Sequence, residues 1–154
     1  MPFKRFFKSK TKELPVFLPY QRASNDFCNE CFGECTSVCK EEIIIKKVGI
    51  PPYLNFNTSG CVFCKKCAQV CYETYGEESV LDPSLEDKIQ AYARIDVLSC
   101  LAYHQVICSS CRDRCKDAIK FSGMFYPEVL ETCTGCGLCV SVCPKDSISI
   151  LARE

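Results

Sequence analysis

The sequence predicts an α+β fold low in regular secondary structure: two similar units in tandem, with short helices and small antiparallel hairpins. Three observations predict it. The 154 residues contain 16 cysteines in four groups of four, an internal repeat. Strand-turn-strand signals lie between the first and second groups and between the third and fourth. Apolar runs are short, Ile43-Ile44-Ile45 being typical, so each half buries little surface of its own and needs a further constraint.

The fourth group identifies that constraint. Cys133-x2-Cys136-x2-Cys139-x3-Cys143-Pro144 is the run that holds a [4Fe-4S] cluster in bacterial ferredoxins. A cubane offers four irons, each wanting one thiolate, and a tight loop can turn three sulfurs inward. Gly135 and Gly137 suit such a loop, because glycine takes positive φ and lets amides approach the cluster sulfides. The fourth cysteine of such a run serves a neighbouring cluster. A zinc knuckle or disulfide set fits less well, since zinc sites favour two separated pairs.

The second group, Cys61-x2-Cys64-x2-Cys67-x3-Cys71, has the same spacing. The first, Cys28-x2-Cys31-x3-Cys35-x3-Cys39, carries one extra residue, which Gly33 can absorb. The third, Cys100-x7-Cys108-x2-Cys111-x3-Cys115, carries a long excursion. Crossed ligation within each half gives four ligand sets: Cys28, Cys31, Cys35 and Cys71; Cys61, Cys64, Cys67 and Cys39; Cys100, Cys108, Cys111 and Cys143; Cys133, Cys136, Cys139 and Cys115. The expected cofactors are four [4Fe-4S] clusters, or three if an irregular group stays empty, and no cysteine is left over for a disulfide.

The connectors predict the strands. Glu42–Lys47, a turn at Gly49–Pro52 and Tyr53–Asn57 form one hairpin. Ala118–Phe121, a turn at Ser122–Pro127 and Glu128–Glu131 form the other. Tyr92–Val97 and Ser147–Leu151 are expected to pair. The expected organisation is a basic tail (1–26), a first ferredoxin-like unit (27–77), a connector (78–98) and a second unit (99–154). Ile44, Val62, Val70, Ile119, Val140, Val142 and Ile148 are expected to line the clusters.

Net charge is formally zero, but residues 1–22 carry six basic residues and one acid while the remainder carries 13 and 18. Sixteen thiolates around four 2+ clusters would add about −8 to that acidic body. The tail, with Phe3, Phe6 and Phe7 among its basic residues, reads first as an arm packed along the body, then as a partner-docking segment. A nucleic-acid role is disfavoured because its charge is confined to one short stretch, and membrane-surface binding because its apolar face is short.

No export signal and no membrane span is visible, which predicts a cytoplasmic, reduced protein. The single histidine, His104, lies inside the third group's excursion. A ligand role is conceivable there, but the cysteines suffice and a structural or exposed role is expected. No phosphate loop, nicotinamide or flavin fingerprint, or catalytic triad accompanies the cysteines, so no enzyme is expected.

The third group, opening Cys100-Leu-Ala-Tyr103, closely resembles the NapF family of ferredoxin-type accessory proteins of the periplasmic nitrate reductase system. The second group, Cys61-Val-Phe-Cys64-Lys-Lys-Cys67-Ala-Gln-Val-Cys71, also resembles that family's corresponding group, and the resemblance covers residues 24–151. The extra residue in the first group, and Tyr72 where proline usually follows the fourth cysteine, are departures. The resemblance implies a cytoplasmic iron–sulfur protein that binds the reductase catalytic subunit before export and assists its maturation, for instance in assembling that subunit's own [4Fe-4S] cluster. Spacing alone implies a polyferredoxin, so an electron carrier or a wiring subunit of a redox complex is the alternative. A purely structural metal-bound module is the third.

Overall fold

The computed structural model describes residues 14–22, 25–115 and 117–153. Among the described residues its regular structure is three separate two-stranded antiparallel sheets, three short α-helices and three 3₁₀ turns. In chain order these are α1 (Glu34–Ser37), β1 (Ile44–Lys47), β2 (Ile50–Leu54), α2 (Lys66–Tyr75), β3 (Ala91–Ile95), α3 (Ser110–Arg114), β4 (Ile119–Ser122), β5 (Phe125–Val129) and β6 (Ile148–Ala152). Among the described residues no helix is long and apolar enough to cross a membrane.

β1 pairs with β2 and β4 with β5, each between two cysteine groups. Both turns sit earlier than proline alone suggests. The chain reverses at Val48-Gly49 and Gly123-Met124, where Gly49 (φ 69°) and Gly123 (φ 67°) supply the left-handed backbone. Pro51 and Pro52 therefore lie inside β2, and Pro127 inside β5. A two-stranded sheet has only edge strands, and an edge strand accepts a residue without an N–H.

β3 and β6 pair in register from Ala91↔Ala152 to Ile95↔Ile148, bringing together segments more than fifty residues apart in the chain. A comparable pairing occurs earlier. Arg22 N donates to Val80 O (3.0 Å) and Asp82 N to Tyr20 O (2.8 Å), with a bridge between Gln21 and Leu81. Leu54 N also donates to Val16 O (2.8 Å), fixing the segment to β2. Val16, Leu18 and Tyr20 are thus core residues. The rest of the basic stretch, residues 1–13, lies outside the described residues.

Two apolar clusters form the core. The first gathers Leu18, Ile43, Leu54, Val80 and Ile89 around Cys35 and Cys67. The second gathers Ala118, Ile119 and Ile148 around Cys111, Cys133 and Cys139. β3 serves both, with Ala91 in the first and Ala93 in the second, two residues apart on one face. Ile43, Val80 and Ile89 are almost wholly buried, each a gain of about 1.5–3 kcal/mol.

Of the residues expected to line the clusters, Ile44, Ile119 and Ile148 are buried, and Val70 and Val140 pack against the core. Val142 is half-buried. Val62 is the exception: it is 48% exposed at the mouth of a cysteine-lined cavity. It directly follows a cysteine in a loop whose inward positions belong to the thiols.

Candidate metal centres

The second and fourth cysteine loops share one backbone shape. Gly135 and Gly137 have φ values of 72° and 75°. The equivalent positions of the second loop, Phe63 and Lys65, have φ values of 53° and 63°. Positive φ twice in five residues is what turns three successive sulfurs to one side. Lys65 offsets the strain through its side chain, donating from Nζ to Pro83 O (3.0 Å) and Leu85 O (3.3 Å) and lying over the Tyr20 ring. In the first group, Gly33 (φ 82°) takes up the extra residue ahead of α1. In the third, a 3₁₀ turn over Leu101–His104 holds the excursion, with Ala102 buried and Tyr103 OH donating to Pro127 O (3.3 Å).

The thiols gather in four sets. Cys28, Cys31, Cys35 and Cys71 line one cavity with Leu18, Pro52 and Leu81. Cys39, Cys61, Cys64 and Cys67 line a second with Ile43, Ile44 and Leu54. Cys100, Cys108, Cys111 and Cys143 line a third with Ile95, Phe121 and Ile148. Cys115, Cys133, Cys136 and Cys139 form the fourth set, close enough that charge on each of the first three raises the Cys139 thiol. Each set takes three thiols from one half-loop and one from another: Cys71, Cys39, Cys143 and Cys115 are the crossing members.

These surroundings oppose free thiolates. Burial, followed by the charge of neighbouring thiols, pushes Cys35, Cys67 and Cys139 up to about 12. Burial dominates again for Cys28, Cys61 and Cys111, which are raised to about 11. As thiolates, four such groups converge only if a cation neutralises them, and binding one releases their protons. Each set also has one backbone N–H aimed at a sulfur: Gly33 to Cys31 (3.3 Å), Phe63 to Cys61 (3.4 Å), Ser147 to Cys143 (3.3 Å) and Ala93 to Cys133 (3.4 Å). Such bonds favour the thiolate form and raise the potential of a cluster held there.

Among the described residues no three His, Cys, Asp or Glu side chains are grouped as the ligands of a single ion would be. A cubane asks for a wider arrangement, four thiolates spread around a cage of iron and sulfide. Four thiols, an apolar lining and an amide donor at every set fit that group. All sixteen cysteines are free thiols, none paired in a disulfide.

His104 is exposed, its Nε2 2.8 Å from Leu98 O, and it lines none of the three cysteine cavities. Sequence reasoning missed the groups that flank the first set. Tyr75 OH and Glu34 Oε2 lie 3.4 and 3.3 Å from Cys31 Sγ, and Lys46 borders the cavity. The signal was there in part, since Tyr75 follows Cys71 by one helical turn. The Glu34 carboxyl is held below its usual value, first by its own backbone amide and then by Cys31.

Residues 127–149, which span the fourth cysteine group, match the 4Fe-4S binding domain family. The ferredoxin-type protein NapF of Escherichia coli (strain K12) is 34% identical over 128 residues, 79% of this chain and 74% of that protein. NapF of Haemophilus influenzae is 34% identical over 130 residues, 80% of this chain and 69% of that protein. The chain belongs to the NapF family. As a NapF-family member it is an iron–sulfur protein of the ferredoxin type.

Proposed function

We propose that this protein holds four [4Fe-4S] clusters, one in each cysteine set, and acts in the cytoplasm on the catalytic subunit of the periplasmic nitrate reductase before that subunit is exported, assisting its maturation. Family membership over 79% of the chain carries this reading. The chemistry agrees with it: three of the cysteine sets each line an apolar cavity suited to holding a cluster. The chain's own part is to bind the clusters through its thiols, shield them with apolar side chains and orient them through four backbone amides. The clusters supply one-electron chemistry or iron and sulfide.

The proposed organisation is two tandem ferredoxin-like units, residues 27–77 and 99–154, with a basic tail before them and a connector between. Support comes from the recurrence of one scheme, a hairpin between two cysteine groups and a closing antiparallel pair. In the first half the closing pair is formed by residues 20–22 with 80–82, so the tail and the connector contribute to it.

The test uses cells lacking this protein. The catalytic subunit is then expected to be exported with a deficient cluster or reduced activity. Normal subunit activity together with failed electron delivery would instead favour the electron-carrier reading, to which the closeness of the four sets lends support.

A further inference from the structure

The four sets follow one another along the chain, but not in space. Helix α2 carries Cys67 of the second set and Cys71 of the first, one turn apart, so these two sets adjoin. α3 carries Cys111 of the third set, and Cys115 of the fourth caps it, with Cys115 N donating to Cys111 O (2.9 Å). Among the described residues no helix joins the second set to the fourth. Backbone does: Cys61 N donates to Cys136 O at 2.7 Å, one residue from each set.

Gly60 sits at that junction. A Cβ there would lie 2.4 Å from Leu138 N and 2.7 Å from both Cys136 O and Gly137 C, all backbone atoms. Gly60 is absent from the glycines with positive φ. Its missing side chain is therefore required by the close approach and not by a turn. On the other side of the same loop, a Cβ on Gly137 would lie 2.1 Å from Cδ1 of the buried Phe56 ring. The second and fourth loops thus interlock.

We infer that the cysteine sets form a single row in the order first, second, fourth, third, and that Gly60 is the positioning residue that keeps the middle pair close enough for an electron to pass between them. The inference rests on the four-cluster reading. The step moves one electron from a reduced site to an oxidised neighbour; no bond forms or breaks and no proton moves. A low-potential one-electron reductant supplies the electron at one end, and a one-electron acceptor removes it at the other. The end sets carry the most exposed of the apolar side chains between or beside their ligands, against 48% for Val62 in the second set. Phe32, between Cys31 and Cys35, is 95% exposed, and Ile107, preceding Cys108, is 76% exposed.

The test is electron paramagnetic resonance on the full chain, loaded anaerobically and reduced with dithionite, with iron and sulfide assayed on the same sample. In the double variant Cys31→Ser/Cys108→Ser, which removes one ligand from each end set, the second and fourth sites should remain loaded and still broaden each other's signals. Adding Gly60→Val should abolish that broadening at unchanged iron content. Sharp, non-interacting signals from the double variant with both middle sites filled would overturn the row order. Broadening that survives Gly60→Val would remove Gly60 from its role. If iron in the double variant falls below two clusters per chain, the four-cluster reading fails, and the row with it.

Discussion

Replacing Gly137 with alanine tests the link between the fourth cysteine loop and the core. The new Cβ meets two obstacles. The backbone there is left-handed, φ 75°, which costs a non-glycine residue roughly 1–2 kcal/mol. The Cβ also falls 2.1 Å from Cδ1 and 2.7 Å from Cε1 of Phe56, and that ring is 8% exposed and packed, so it cannot swing into solvent. Overpacking of this kind costs about 1–3 kcal/mol. Alanine's narrower unfolded ensemble returns about 0.4–1 kcal/mol. The net loss is about 1–4.6 kcal/mol, or roughly 2–18 °C in Tm for a chain of this size. Thermal unfolding of the anaerobic, iron-loaded protein, followed by loss of cluster absorbance, measures it. Phe56→Leu shortens the opposing side chain, so Gly137→Ala should cost less in that background, by about the steric share, while the backbone share persists. A loss below about 1 kcal/mol, or an equal loss in both backgrounds, would refute the reasoning.

Further outcomes follow from the same geometry. Four cubanes require about 16 iron and 16 sulfide per chain, which anaerobic analysis measures; Cys143→Ser should disturb the site built from Cys100, Cys108 and Cys111 and leave that of Cys133, Cys136 and Cys139 intact. Tyr75→Phe removes a hydroxyl 3.4 Å from Cys31 Sγ and should lower the potential of one site alone, on the order of 50 mV by redox titration. Metal-free protein should lose stability as pH rises. Its buried thiols titrate near 11–12 rather than 9, so between those values the folded state holds more protons than the unfolded one. Denaturant midpoints of the metal-free protein should therefore be constant below about pH 9 and fall above it, and a midpoint that climbs across that window would contradict the burial of Cys67 and Cys139.

The sequence made the cysteine grouping legible because cubane ligation demands fixed spacing, and three groups of four thiols each line a cavity. Both hairpins and the pairing of the 92–97 segment with 147–151 were legible too, from β-branched and alternating residues between turn signals. The turns were misplaced because proline was read as a turn marker, whereas Gly49 and Gly123 reverse the chain and the prolines lie on strands with a free edge. Val80, Leu81 and Ile89 escaped notice because they stand among acids and a proline, too few in a row to show any period. Their burial is decided by what they meet: Ile89 N donates to Thr134 O (2.9 Å), a partner 45 positions away. The Cys61–Cys136 junction was invisible for the same reason, since Gly60 says only that a side chain is unwelcome and not whose backbone fills the space.

Helix α2 lends Cys67 and Cys71 to different cavities across a single turn. A metal site with its own private elements is built independently of its neighbours, whereas these two share a turn of backbone. Uncoiling that turn withdraws a thiol from both at once, and anchoring either one winds the turn that presents the other. With a cubane in each cavity, assembly along this stretch would be cooperative, the first to arrive preparing part of the seat of the second. Unwinding that turn would then cost the chain two cofactors, whereas losing a ligand elsewhere in either set would cost one.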